Sequence, residues 1–442
     1  MYKKFNLNKF ENSYLIIIFT LLAIFNQINY LRFEFNEYII FLPRVLILLF
    51  LMLFSVKIFE VLKINNFFIH KKNFFYFLIF YLQSFLSLVF FNNDFPNENK
   101  ETSLSFINTF SYDFLKYFSI YIFFCFFGVN LLNKKNLIIF FKINLSFSYI
   151  IVFIGYFFFI FYFLNDYEII ERVFYYNDPS VVGYRFYSLL GEPRDASVYL
   201  LTNCFLIVVL FKNLTIDQKK KFYPYVFVII FLSIIAFFLT KSFSGIVAII
   251  LGFLLFLFFL IIDFFRTTNK KKIKNIFFKI TLLLIIILFF LMMFSLSNRI
   301  SNYFSNIYLL ITNSSLEIEN LRIGSQKKDL MPLLKFAGDL INLEIKNIIF
   351  GNGSLSSYYF NSYEFSHPHS FLSRIIFDNG IIGFLIFSLF IYSVLDKKSD
   401  LLEKLLLSFA YGSFLSVHST FLFVFLMIMI YLKKINFAKN SI

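Results

Sequence analysis

"LIIFFKINLSFSYIIVFIGYFFFIFYFL", Leu137 to Leu164, decides the class of fold. A helix rises about 1.5 Å per residue, so roughly 20 apolar residues cross the hydrocarbon of a bilayer. This run exceeds that length and carries one charge, Lys142, near its start. An amine placed there snorkels to the headgroups while its stem stays in lipid, and Arg44, at the edge of another apolar run, reads the same way. Working outward, comparable runs occur near Tyr14 to Leu31, Tyr38 to Val56, Phe74 to Phe91, Phe114 to Leu132, Ala196 to Phe211, Pro224 to Thr240, Gly245 to Ile262, Phe277 to Leu296 and Gly380 to Leu395. A longer run, Leu405 to Leu432, follows.

Composition agrees. With 59% hydrophobic and only 15% charged residues over 442 positions, one soluble core could not hide this much apolar surface. The chain reads as an all-α polytopic membrane protein forming a single integral membrane domain, residues 1–442. The 74 Phe accompany an excess of Ile, Asn, Lys and Tyr, as AT-rich coding produces, so they read as lipid-facing and helix-packing residues rather than an aromatic binding box. Cys125 and Cys204 lie far apart inside apolar stretches, with no metal-ligand spacing, and are expected to be buried thiols. The first apolar run leads into further spans, so no cleavable signal peptide is expected.

Charge orients the spans, because cytoplasmic loops retain Lys and Arg. Lys3, Lys4 and Lys9 place the N-terminus inside. Every second loop afterwards is basic: Lys57 to Lys72, Lys134 with Lys135, Lys212 with Lys219 to Lys221, Arg266 with Lys270 to Lys274, and Lys397 with Lys398. The net charge of +15 is therefore an orientation signal, and no nucleic-acid partner is expected. Both flanks of the last run are basic, which requires a hairpin of two short helices turning near His418. The count comes to about twelve transmembrane helices, with both termini cytoplasmic.

Two loops on the external face are too long to be connectors. The first, 165–195, carries Arg172, Arg185 and Arg194 beside Glu192. The second, 297–379, contains Arg322, the stretch "DLMPLLKFAGDLINLEIKNIIF", then "GNGS" and "HPHS". Leu330, Leu334, Ile341 and Ile345 recur at helical spacing, which predicts an amphipathic helix on the membrane surface covering a site at the lipid boundary. Two of the four histidines of the chain, His367 and His369, flank Pro368 just before the next span.

The segment "HPHSFLSRIIFDNGIIGFLIF" resembles the end of the large external loop in the O-antigen polymerase and O-antigen ligase superfamily, with its His-Pro-His-Asn, leucine, acidic residue and Gly-Ile-Ile-Gly. Three further pieces resemble that superfamily in the same order. They are "YRFYSLLGEPRDASVYLL", "FLTKSFSGIVAIILGFLLF" at its Thr-x-Ser-Arg-Ser-Gly turn, and "LRIGSQKKDLMPLLKFAGDLINLEIKNIIFGNGS". The likeness covers most of the chain from about Asn165. Ser370 stands where the family usually has Asn, and Phe243 where the turn has Arg, leaving Lys241 as the local cation without a bidentate fork.

The resemblance implies transfer of a glycan from a polyprenyl (undecaprenyl) diphosphate carrier to an acceptor hydroxyl, at the outer face of a bacterial cytoplasmic membrane. It implies membrane lipid, a flippase and a chain-length regulator as partners. The departing diphosphate needs preorganised cations. Neither long loop contains Asp-x-Asp, and Glu317 with Glu319 is a weak substitute, so no metal or other cofactor is expected. Arginine binds phosphate oxygens in pairs, and Arg185, Arg194 and Arg322 are the candidate diphosphate-binding residues. His369 matches the family position for orienting or deprotonating the acceptor hydroxyl, with His367 as its neighbour.

Simpler roles stand beside these. Arg185 and Arg194 would equally contact lipid headgroups or pair with Glu192 and Asp195. Arg322 could cap a surface helix, "GNGS" could be only a turn, and His418 could be structural. The resemblance leaves open a repeat-unit polymerase of O-antigen or capsule and a ligase acting on a lipid A core. A lipid-linked glycan transporter, the third possibility, should show repeat symmetry and broken helices at mid-membrane.

Overall fold

The computed structural model describes residues 7–25, 32–35, 38–53, 67–91, 102–163, 185–186, 188–190, 193–240, 242–266, 336, 338–353, 371–395, 402–405, 407–408 and 421–440. In chain order the elements are α1 (Leu7–Phe25), strands β1 (Arg32–Phe35) and β2 (Tyr38–Phe41), α2 (Leu42–Leu53), α3 (Phe67–Phe91) and α4 (Thr102–Tyr121). Helix α4 continues through a π-helical segment, Ile122–Gly128, and a last turn, Val129–Leu131. Then come α5 (Lys134–Phe163), α6 (Pro193–Lys212), α7 (Ile216–Leu239), α8 (Phe243–Arg266), the short α9 (Ile345–Phe350), α10 (Phe371–Tyr392) and α11 (Phe421–Asn440).

Among the described residues, six helical stretches are long and apolar enough to cross a membrane: Lys72–Val89, Phe114–Leu131, Lys134–Phe161, Asp195–Lys212, Ile216–Leu239 and Arg374–Tyr392. Shorter apolar helices cover Tyr14–Ala23 and Ile249–Ile261. The protein is a helical, multi-pass membrane protein. The expected span Phe277 to Leu296 and the turn at His418 lie outside the described residues.

Four boundaries differ from the sequence reading. The expected span from Tyr38 opens as a strand, paired antiparallel with β1 in the register Arg32 to Phe41 and Phe35 to Tyr38. "RFEF" and "YIIF" are short, aromatic and β-branched, which suits a hairpin as well as a helix. Helix α6 starts at Pro193, so Arg194 and Asp195 belong to its first turn rather than to the preceding loop. Proline tolerates that first position because its missing N–H has no partner there anyway. Helix α10 starts at Phe371 rather than Gly380, and the glycine is instead a break inside it, at φ 62 and ψ −164. Residues 371–379 are therefore helix, not the end of the long loop. The amphipathic stretch is also interrupted. Leu343 adopts φ 55, the Glu344 N–H reaches the Asp339 carbonyl at 2.9 Å and the Leu343 N–H reaches Leu340 at 3.4 Å. This is the Schellman pattern that ends helices, with leucine where glycine is usual. The turn leaves Leu340, Ile341, Leu343 and Ile345 exposed.

The core centres on the π-helical segment, which turns Phe123 to Gly128 wholly inward. Phe123 stacks on Phe19 at 4.6 Å, Phe127 meets Phe50 edge-on at 5.1 Å and Phe126 meets Phe74 at 5.4 Å. Gly128 lets α1 and α11 approach, since a Cβ there would stand 2.5 Å from both Met427 and Phe19. Helix α11 is apolar on every side and buried from Leu422 to Leu432, as expected for a central helix. Helix α7, by contrast, exposes Phe227, Phe231, Ile234 and Phe238 on its outer side. Phenylalanine thus serves both lipid and helix contacts, as anticipated. Cys125 is buried and Cys204 half-buried, and both are free thiols.

Several lysines stand at one end of the bundle. Lys142 places its amine 5.8 Å over the Phe222 ring, beside Lys219 to Lys221. Lys434 donates to Asn130 at 3.3 Å, and Lys433 to the Ser393 carbonyl at 3.0 Å. At this end Asn73 ties α3 to α10: its amide donates to the Phe390 carbonyl at 2.8 Å and to Ser393 Oγ at 2.9 Å, while the Tyr121 hydroxyl donates to its Oδ1 at 2.6 Å. Replacing Asn73 with Leu removes the acceptor of a buried hydroxyl and should cost about 1–3 kcal/mol. Thermal or denaturant unfolding of the purified protein in detergent measures this, and an unchanged midpoint would mean that Tyr121 finds another partner.

Candidate functional site

The described parts of the four segments singled out in the sequence meet at two junctions. Both lie away from the basic end: one at the far end of α5 and α7, the other at the far end of α3.

At the first junction the Phe186 N–H donates to the Leu239 carbonyl at 2.9 Å, joining "YRF" to "FLTKSFSG". Phe186 is fully buried on Gly155 of α5, where a Cβ would fall 2.1 Å from the ring, and Ser188 donates to the Ile151 carbonyl at 2.6 Å. Arg185 is held half-buried here by the fixed neighbour that follows it. Thr240 and Ser242 shape the turn: Ser242 N–H reaches Thr240 Oγ1 at 3.3 Å, and Ser242 Oγ accepts from the Gly245 N–H at 3.4 Å as the N-cap of α8. Gly245 in turn packs on Ser197 of α6, where a Cβ would lie 2.6 Å from the hydroxyl. Arg194, in the first turn of α6, belongs to the same neighbourhood by backbone position. Lys241 lies outside the described residues.

The second junction joins "GNG" to the helix that follows the histidine motif. Gly351, Gly353 and Gly380 all have positive φ, at 86, 103 and 62 degrees. The Asn352 N–H donates to the Phe377 carbonyl at 2.9 Å and the Gly353 N–H to the Asp378 carbonyl at 3.1 Å. These carbonyls have lost their own helical donors because α10 breaks at Gly380, so the turn satisfies what the break exposes. The fit is backbone against backbone. A Cβ on Gly351 would meet the Asp378 carbonyl oxygen at 2.3 Å, and one on Gly380 would meet the Gly351 nitrogen at 2.5 Å. Helix α3 completes the joint: Ser87 Oγ donates to the carbonyls of Asp378 at 2.9 Å and Phe350 at 3.1 Å, and Gln83 donates to the Asn379 carbonyl at 3.1 Å.

Charged and polar side chains are buried around this joint. Arg374 Nε lies 3.5 Å from Asp378 Oδ2 one helical turn away, with side chains 11% and 1% exposed. Asp339 is fully buried, and the Asn352 side chain reaches its Oδ2 at 3.4 Å. Asn379 and Gln83 each bury a side-chain oxygen that has no hydrogen-bond partner among the described residues. Buried charge and unmet polar capacity in a lipid-spanning bundle mark a working site more often than a structural one.

His367, His369 and Arg322 lie outside the described residues; what the structure gives is the first turn of α10, directly after Ser370. Arg374, Asp378 and Asp339 were missed as candidates. The spacing of Arg374 and Asp378, four apart within a run about to enter membrane, was the available signal. Comparison of the chain with protein-family models, with curated proteins and with solved structures finds no match.

If backbone contact is what closes the second junction, Gly351→Ala and Gly380→Ala should each cost about 1–3 kcal/mol, from the positive φ and the clash together. Gly338→Ala is the control, since a Cβ there meets nothing within 4 Å. Hydrogen exchange at Asn352 and Gly353 should quicken in the first two variants and stay unchanged in the third.

Proposed function

We propose that this protein polymerises oligosaccharide repeat units carried on polyprenyl diphosphate, at the outer face of a bacterial cytoplasmic membrane. The observation that carries the reading is the second junction. The glycine turn that ends one family-like segment and the broken helix that opens after the histidine motif form one joint, at the end of the bundle opposite Lys142, Lys433 and Lys434. Basic loops stay on the cytoplasmic side, so that end faces outward, and the long segments 165–195 and 297–379 with it. The twelve-span arrangement with both termini inside completes the proposal.

The chemistry asks little beyond placement. An acceptor hydroxyl of the growing unit is oriented or deprotonated by His369, with His367 as neighbour, and attacks the anomeric carbon of the donor. The bond from that carbon to the diphosphate oxygen breaks, and Arg185, Arg194 and Arg322 receive the negative charge that builds on the leaving group. Glycan transfer onto a lipid A core by a ligase uses the same parts. A second reading, transport of the lipid-linked glycan, draws support from the break at Gly380 within a helix of membrane length, since transporters build sites at such breaks.

Sidedness is testable first. A cysteine at Asn342 should react with an impermeant thiol reagent applied to intact cells, and one at Lys135 should not; the reverse pattern would invert the arrangement. Function is tested by His369→Ala. Turnover should fall by about 10²-fold or more with normal protein level. On a glycan gel a polymerase defect leaves single repeat units on the surface acceptor and removes the ladder. A ligase defect strands long chains on the carrier, and a transport defect leaves units on the inner face. Arg185→Lys should give the polymerase pattern, because lysine keeps the charge and loses the paired hydrogen bonds. A normal ladder from His369→Ala would overturn the histidine assignment.

A further inference from the structure

In an unbroken helix each carbonyl accepts from the N–H four residues on. The carbonyls of Phe377 and Asp378 would therefore take the N–H groups of Ile381 and Ile382. In this structure they take those of Asn352 and Gly353, at 2.9 and 3.1 Å, because Gly380 turns the chain aside at φ 62 and ψ −164. The glycine turn thus stands in for the next turn of α10, and two pairs of donors compete for one pair of carbonyls. The Gly380 conformation belongs to glycine almost alone, and glycine is equally free to take up the helical one.

The docked joint is not saturated either. Side-chain oxygens of Gln83 and Asn379 are buried beside it with no hydrogen-bond partner among the described residues, and the break deprives Ile381 and Ile382 of their helical acceptors. Straightening α10 would give those two donors their carbonyls and release Asn352 and Gly353 to water at the end of the bundle. The two halves of α10 are held unequally. The inner half is tied to α3 by Asn73, through Phe390 and Ser393, and by the rings of Phe77 and Phe80 on Phe390 and Phe387. The outer half, 371–379, meets α3 through Ser87 and Gln83, at the last carbonyls before the break.

We propose that α10 and the Gly351–Gly353 turn form a two-state latch. Docked, α10 is broken at Gly380 and its outer half lies against α3. Released, Ile381 and Ile382 reclaim the two carbonyls, α10 runs straight, and its outer half swings off α3 to open the bundle at the end opposite Lys433 and Lys434. The latch goes beyond the polymerase reading and does not rest on it, since it needs no assignment of the reaction.

Amide exchange on the full chain in nanodiscs reads both states. Gly351→Ala undocks the turn without touching α10, because its Cβ would meet the Asp378 carbonyl oxygen at 2.3 Å. Exchange at Asn352 and Gly353 should quicken by about tenfold or more, while Ile381 and Ile382 slow by a similar factor as they gain acceptors. A fixed break predicts that Ile381 and Ile382 quicken or stay unchanged, and either result overturns the latch. Ile381→Pro acts in the opposite direction. Ile381 is exposed, and proline suits the first position of the inner half, but in a straight helix its ring would strike the Phe377 carbonyl. Release then loses its compensation, so exchange at Asn352 and Gly353 should slow by about tenfold or more. Unchanged or quicker exchange overturns the proposal, and this variant decides the matter if Gly351→Ala does not fold. Spin labels at Val89 of α3 and Ile376 of α10 follow the swing: their distance should be longer in Gly351→Ala than in Ile381→Pro, and equal distances overturn the proposal.

Discussion

Lipid is as apolar as phenylalanine, so a bundle rich in Phe gains little from moving one apolar helix face off lipid and onto another. Register between helices must then come from directional contacts. Here these are few and buried. Asn144 donates to Asn203 at 3.0 Å, and Asn203 to Ser148 at 2.7 Å, pinning α5 to α6 within the membrane. Asn73 pins α3 to α10 at the basic end, and the Tyr121 hydroxyl pins α4 to the same asparagine. Ser87 and Gln83 pin the same two helices at the other end. Each such bond is worth only about 1 kcal/mol in a membrane, but each is also the reason one rotation of a helix is preferred over its neighbours.

Helices α3 and α10 are thus pinned on both sides of the break at Gly380. From Asn73 to Ser87 is about 21 Å along the helix axis, most of the hydrocarbon thickness. Between the two ends the pair is filled by ring contacts such as Phe77 with Phe390 and Phe80 with Phe387. These contacts are adaptable, and a small slip would cost them little. The polar ends do not tolerate it, since their partners are backbone carbonyls at fixed positions.

Hydropathy made six spans legible among the described residues, because length and apolarity are properties of a segment alone. Charge alternation put Lys219 to Lys221 with Lys433 and Lys434 on one side, and the snorkelling reading of Lys142 put its amine at a helix end. What was not legible depends on tertiary partners. "YIIF" becomes a strand because "RFEF" is there to pair with it. "FLSRIIFDN" was read as loop on account of its polar residues, yet Arg374 and Asp378 pair with each other and so remain within helix. The stop at Leu343 could not be read, since a leucine with φ 55 contradicts its own propensity. At the candidate site, "GNGS" and the Gly-Ile-Ile-Gly segment were both singled out, but nothing in either stretch said that they touch.

That contact sets a physical order among the parts. Gly380 must lack a side chain for the Gly351 turn to reach α10, and the turn must reach α10 for the Phe377 carbonyl to find a donor, while the Asp378 carbonyl is shared between the turn and Ser87. An orphaned carbonyl in hydrocarbon costs several kcal/mol, so the break in α10 is stable only while the turn is docked. The turn, in its own right, is a short connection behind a six-residue helix and would not hold its shape alone. Neither partner is viable without the other.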